Sequence, residues 1–257
     1  MKKIILIVVV LLNFIIPVKA AEVSHEFRVL IGPFDASRTN FSYALTPDSY
    51  SVKSEVTTSG IFDSLYPFKA NYFTDGKIKN NRLETAHYHY SSQTRFNHRR
   101  KELIYNDKGI PVYRISSKND KEKKVKLEDT PNNADTTDLQ TVFAELAKQY
   151  NELHFCDSRM QVYDGKRRFD VIFKDEGQEN ISANEHSPYS GISSKCSMYI
   201  DKLGEKGDDL LWELTSDRPI YFWILEHQGK PFIARILVKE TPLGRLEVYT
   251  SKVSVKD

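Results

Sequence analysis

Turn-forming residues recur about every ten positions along most of this chain, a spacing that constrains the fold more than any other feature. Gly32-Pro33, Thr46-Pro47-Asp48, Ser59-Gly60, Thr74-Asp75-Gly76-Lys77, Asn106-Asp107-Lys108-Gly109 and Asp164-Gly165 punctuate the earlier part. Ser216-Asp217-Arg218-Pro219, His227-Gln228-Gly229-Lys230 and Thr241-Pro242-Leu243-Gly244 punctuate the end. Between them lie short extended runs. Tyr50, Val52 and Val56 alternate with Lys53 and Glu55, and Phe169, Val171 and Phe173 alternate with Arg168, Asp170 and Ile172. A period of two places one set of side chains in a core and the other towards solvent. Strands are expected at 25–31, 40–45, 49–56, 69–73, 82–90, 95–105, 110–115, 168–174, 191–200, 210–214, 220–226, 231–239 and 245–253. Hairpin spacing of this kind excludes βαβ units and predicts an antiparallel sandwich or barrel.

Two stretches break the pattern. Residues 116–134 carry five lysines against Asp120, Glu122, Glu128 and Asp129, with Val125 and Leu127 as apolar members, and read as an exposed charged loop. Residues 137–151 read as the one helix. Leu139, Val142, Phe143, Leu146, Tyr150 and Leu153 form a single apolar stripe, with Thr136 or Thr137 as the cap and Asp138 in the positive first turn. One stripe needs one partner, so the helix is expected to cover an open face or end of the sheet.

Lys2 and Lys3, the apolar run 4–17 and Val18-Lys19-Ala20 follow the pattern of a cleaved secretory signal over residues 1–20. The run is shorter than the roughly 20 residues a spanning helix needs, so no membrane span is expected after cleavage. A single β-rich domain is expected over 21–257. Cleavage removes three lysines and lowers Lys+Arg from 37 to 34 against 35 acids, which leaves no electrostatic case for a nucleic-acid partner. The two cysteines, Cys156 and Cys196, lack C-x-x-C spacing, and in an exported chain they are expected to pair as a structural disulfide.

Chemistry is sparse. His87 and His89 share a strand face, and His98 or Glu84 could supply a third ligand, but H-x-H alone more often marks partly exposed strand histidines than a metal site. No G-x-S-x-G elbow and no phosphate-cradling loop are present, so neither a serine hydrolase nor a nucleotide or other cofactor is indicated. Asp164, Asp170 and Asp175 cluster in the central hairpin and read first as turn and strand-face carboxylates. With 14 Phe, 14 Tyr and 2 Trp, aromatics can either fill a barrel interior or line a cavity for one apolar ligand. The Tyr221-Phe222-Trp223-Ile224 run makes Tyr221 and Trp223 the candidate ligand contacts.

The helix D-L-Q-T-V-F-A-E-L, the cysteine soon after it, Y-D-G-K-R-R-F-D, Gly191 to Cys196, Leu211-Trp212 and P-F-I-A-R-I-L-V-K-E-T-P-L-G together resemble domain of unknown function 3108. Tyr50, Ser59-Gly60 and Pro67 match more loosely, and the polar insert 178–189 departs from the family pattern. Resemblance to this family, which has no assigned activity, implies an exported protein of a Gram-negative periplasm. It also implies a strongly curved antiparallel sheet, a half-open barrel or spiral, with the helix packed against it. Three functions compete: a non-enzymatic protein of cell-envelope maintenance holding an apolar or lipid-like ligand in the concave face, a structural or protein-interaction module with a filled core, and an envelope hydrolase with an unrecognised site.

Overall fold

The computed structural model describes residues 21–127, 135–203 and 215–256. The expected signal segment, the 128–134 part of the charged loop, the strand at 210–214 and Leu211-Trp212 lie outside the described residues. The described strands are β1 (Ala21–Ile31), β2 (Phe34–Leu45), β3 (Ser49–Thr58), β4 (Phe68–Lys79), β5 (Arg82–Thr94), β6 (His98–Tyr105), β7 (Pro111–Lys118) and β8 (Lys121–Lys126). After helix α2 (Leu139–Leu153) come β9 (Ser158–Tyr163), β10 (Arg168–Ile181), β11 (Gly191–Leu203), β12 (Ile220–His227), β13 (Lys230–Val238) and β14 (Leu246–Lys256). A short helix, α1 (Gly60–Leu65), joins β3 to β4 and buries none of its residues.

All the strands belong to one antiparallel sheet in the order β8-β7-β6-β5-β4-β3-β2-β1-β14-β13-β12-β11-β10-β9. The described strands therefore begin mid-sheet with β1, meander out to β8, continue from α2 into β9, and meander back until β14 pairs with β1. The sheet is not closed into a barrel. Instead the β9–β10 turn lies over the inner face of β6 and β7. Arg114 Nη1 donates to the Gly165 carbonyl at 2.8 Å, and Lys101 Nζ lies 3.6 Å from Asp164. A side chain at Gly165, which has φ +82°, would run into Leu103 and Arg114, so glycine is required where the sheet overlaps itself. The fold is thus the curved, half-open antiparallel sheet that the family resemblance implies.

Three expectations are corrected. Thr74 to Lys77 is not a hairpin turn but the middle of β4, with Thr74 fully buried. Gly76 is there because the Tyr50 ring and the Glu84 carbonyl press on it, at a bulge between Asp75 and Gly76. The actual turn is Asn80-Asn81, whose φ angles of 49° and 65° suit a two-residue hairpin loop. Asn119-Asp120 has the same geometry, so part of the expected charged loop is the strand β8, whose lysines protect the sheet edge. The helix cap is Asp138 rather than Thr136 or Thr137: its carboxylate accepts from the amides of Gln140 and Thr141. Thr137 is committed elsewhere, pairing its backbone with Gln161 and Tyr163.

The core lies inside the curl. Val142, Leu146 and Tyr150 of α2 pack with Phe169, Val171 and Phe173 of β10 and with Phe222 and Ile224 of β12. The Cys156–Cys196 disulfide, with Cα atoms 6.1 Å apart, is fully buried in this cluster and ties the segment after α2 to β11.

Candidate functional site

The concave face is filled near β9–β11 but not beneath the other flank of α2. There, β1, β2, β12, β13 and β14 form a floor, Phe143, Leu146 and Tyr150 form a roof, and a half-open pocket of about 250 Å³ lies between them. Its walls are almost wholly apolar. Alternation on β1 turns Val23, His25 and Phe27 inward, and the β1–β2 register sets Phe41 opposite His25 and Tyr43 opposite Val23. Phe232 comes from β13, and Tyr189 stacks on it with ring centroids 4.8 Å apart.

The polar groups of the wall are distinct in character. Tyr43 donates its hydroxyl to the Pro231 carbonyl at 3.2 Å, and burial pushes its ionisation far above the usual range. Tyr150 donates to Ser194 Oγ at 2.6 Å. His25 is only 3% exposed, and neither ring nitrogen has a hydrogen-bond partner among the described residues. The rings of Phe27, Phe41, Tyr43 and Phe232 surround it at 5.5 to 6.3 Å. Burial lowers its pKa to about 4, so the imidazole is neutral near pH 7.

A second buried polar cluster secures the start of α2. Asp138 accepts from Thr74 Oγ1 at 3.0 Å, Thr85 Oγ1 at 2.9 Å and Thr141 Oγ1 at 2.6 Å. The Tyr50 hydroxyl lies 2.8 Å from Thr141 Oγ1 and 3.1 Å from Thr85 Oγ1. Each of these groups is satisfied within the cluster, which makes it an anchor for the helix that roofs the pocket.

The candidates named by sequence fall elsewhere. Tyr221 and Trp223 alternate with the core residue Phe222 and lie on the opposite face, where Lys195 Nζ is 5.5 Å from each ring. The structure brings neither into the apolar pocket. His87 and His89 do share a face, with ring centroids 6.4 Å apart, and both look onto Glu102. Burial raises the Glu102 pKa, but the hydrogen bonds from Arg100 and His89 outweigh it and hold the carboxyl below its usual range. His98 pairs opposite Gln93 at the other end of β6, and Glu84 engages Lys79. The described residues contain no group of three or more side chains able to hold a metal. Asp170 is buried against Arg159, Asp164 is held by Arg167, and Asp175 is exposed, with its side chain accepting from the Gly177 amide. These three do not converge on one site. Sequence reasoning passed over His25; the signal for it was a histidine at an inward-facing position of an alternating strand.

A single curled sheet, sealed by overlap and holding a helix over an apolar pocket, defines an open β-spiral with an internal cavity. The chain belongs to the family described as protein of unknown function (DUF3108), whose model matches residues 26–249. A search of curated proteins found no match. Among solved structures, the chain is similar to the crystal structure of a beta-barrel-like protein of domain of unknown function DUF1849 from Brucella abortus. That alignment has 8% identity and a TM-score of 0.49, and covers 93% of this chain and 98% of the other.

Proposed function

We propose that the protein is an exported, non-enzymatic component of the periplasm that serves cell-envelope maintenance by holding an apolar or lipid-like molecule in the pocket beneath α2. The pocket itself carries this reading. A well-packed protein closes its apolar voids, and keeping about 250 Å³ of almost purely apolar space open to the surface forgoes packing energy. The volume is close to the lower end of ligand sites, roughly 300–1,000 Å³, and suits one alkyl chain or a small ring system rather than a whole two-chain lipid. The buried disulfide supports export, because such bonds persist in oxidising compartments. Among the described residues, no helix is long and apolar enough to cross a membrane.

The test is mass spectrometry of an organic extract of protein purified from the periplasm without detergent. A stoichiometric apolar molecule is the expected result. An empty extract, together with failure of the folded protein to bind the fluorescent apolar probe N-phenyl-1-naphthylamine, would overturn the reading.

A second reading, an interaction module, rests on a different surface. Ile61, Leu65 and Tyr66 around α1 are more than half exposed, as is Phe34 of β2, against which α1 packs. Crosslinking to envelope proteins that is lost on Leu65→Ser would favour it.

A further inference from the structure

The pocket contains one group that the fold leaves unexplained. His25 is buried to 3% exposure, lines the apolar pocket, and has two covered ring nitrogens that no described residue engages. A buried polar group without a partner costs stability, so such groups in native proteins call for a specific reason. Packing alone does not supply one. An apolar side chain among Phe27, Phe41, Tyr43 and Phe232 would leave no hydrogen bonds unmet. Water is a poor substitute partner, since a buried water needs two to four polar neighbours. Besides His25, the lining offers the Thr39 hydroxyl and two tyrosine hydroxyls, and Tyr43 and Tyr150 already donate to Pro231 and Ser194.

We propose that His25 is the polar anchor of the pocket and hydrogen-bonds the one polar function of an otherwise apolar ligand, an uncharged amphiphile bearing a hydroxyl. The inference rests on the pocket reading above and deepens it. A neutral imidazole offers one donor and one acceptor, and a hydroxyl is the smallest group that can answer either. An anionic head is disfavoured, because no lysine or arginine lines the pocket to compensate a buried charge. Both ring nitrogens are covered in this structure, so the imidazole turns towards the pocket to meet a hydroxyl carried inside against β1, while the alkyl or ring body fills the space under Phe143 and Leu146.

The test compares 1-octanol with octane as competitors of N-phenyl-1-naphthylamine, in the full mature protein and in His25→Phe. The ratio of octanol to octane affinity is expected to fall roughly tenfold in the variant, the cost of leaving a ligand hydroxyl unpaired. In wild-type protein labelled with ¹⁵N-histidine, octanol but not octane is expected to shift the His25 ring nitrogens, a readout that survives if His25→Phe does not fold. If both molecules bind but the ratio is unchanged in the variant, or the His25 nitrogens do not move with octanol, the anchor is overturned while the pocket stands. If neither molecule displaces the probe from folded wild-type protein, the pocket reading falls as well.

Discussion

The Tyr50 ring lies directly on Gly76, so that a β-carbon added at position 76 would stand 2.9 Å from Tyr50 Cζ and closer still to Cε1 and to the Glu84 carbonyl oxygen. This contact lets the Tyr50 hydroxyl reach Thr85 and Thr141, linking β3 to β5 and to the start of α2. Gly76→Ala is expected to destabilise by about 3 kcal/mol, because one of the clashing atoms is backbone and cannot swing aside. Urea denaturation of the two proteins would check it, and equal midpoints would refute the close contact.

Asp138 joins the helix cap to the threonine cluster, whereas Thr137 is held by its backbone. Asp138→Ala removes an acceptor from the Thr85 and Thr141 hydroxyls and from two amides, while Thr74 keeps Gln140 Oε1, and should cost on the order of 3 kcal/mol. Thr137→Ala should cost less than about 1 kcal/mol. Thermal unfolding of both variants decides this; a larger loss for Thr137→Ala would return the cap to the threonine.

Cys156 and Cys196 are 40 residues apart, for which chain entropy alone predicts about 4 kcal/mol of stabilisation. Alkylation without reductant should add no label to the intact protein. Cys156→Ser should melt at a lower temperature and accumulate to a lower level on expression, and an unchanged melting curve would remove the structural role.

His25 gives stability a dependence on acid. Its pKa drops from 6.5 to about 4 on folding, so the unfolded chain takes up a proton that the folded one refuses. The His25 contribution is intact above pH 6.5 and is lost as pH falls through about 4. Between pH 7 and pH 4.5, wild type should lose roughly 2–3 kcal/mol more than His25→Phe. Parallel urea titrations at the two pH values measure the difference, and identical losses would show that the imidazole is charged or solvated in the folded state.

Most of the architecture was legible because strand alternation and turn residues are local signals. The hairpins ending at Asp164-Gly165 and Gln228-Gly229, the antiparallel meander and the helical stripe follow from residues a few positions apart, whereas the spiral class comes from the family resemblance. The failures share one cause. Asp75-Gly76 has the composition of a turn, and only the distant Tyr50 reveals that its glycine makes room for a ring. The lysines of β8 look like a solvated loop until Asn119-Asp120 is seen to turn the chain back onto β7. The pocket was the least legible feature. Tyr221 and Trp223 drew attention through aromatic density, yet what selects the pocket wall is which face each strand turns inward, and that depends on register with strands far away in sequence.

The strand order also sets the sequence of events in folding. From β1 to β8 and from β9 to β14, nearly every pairing joins consecutive strands, so each arm can assemble quickly from hairpins. The junction of the arms is different: Ser24 and Ser254 meet hydroxyl to hydroxyl 2.7 Å apart, across 230 residues of chain. The bare edges of β1 and β14 therefore wait for each other. A chain in which they had not yet joined would present two half-spirals, each with an adhesive rim, and misassembly between neighbouring copies would compete with pairing at that one seam.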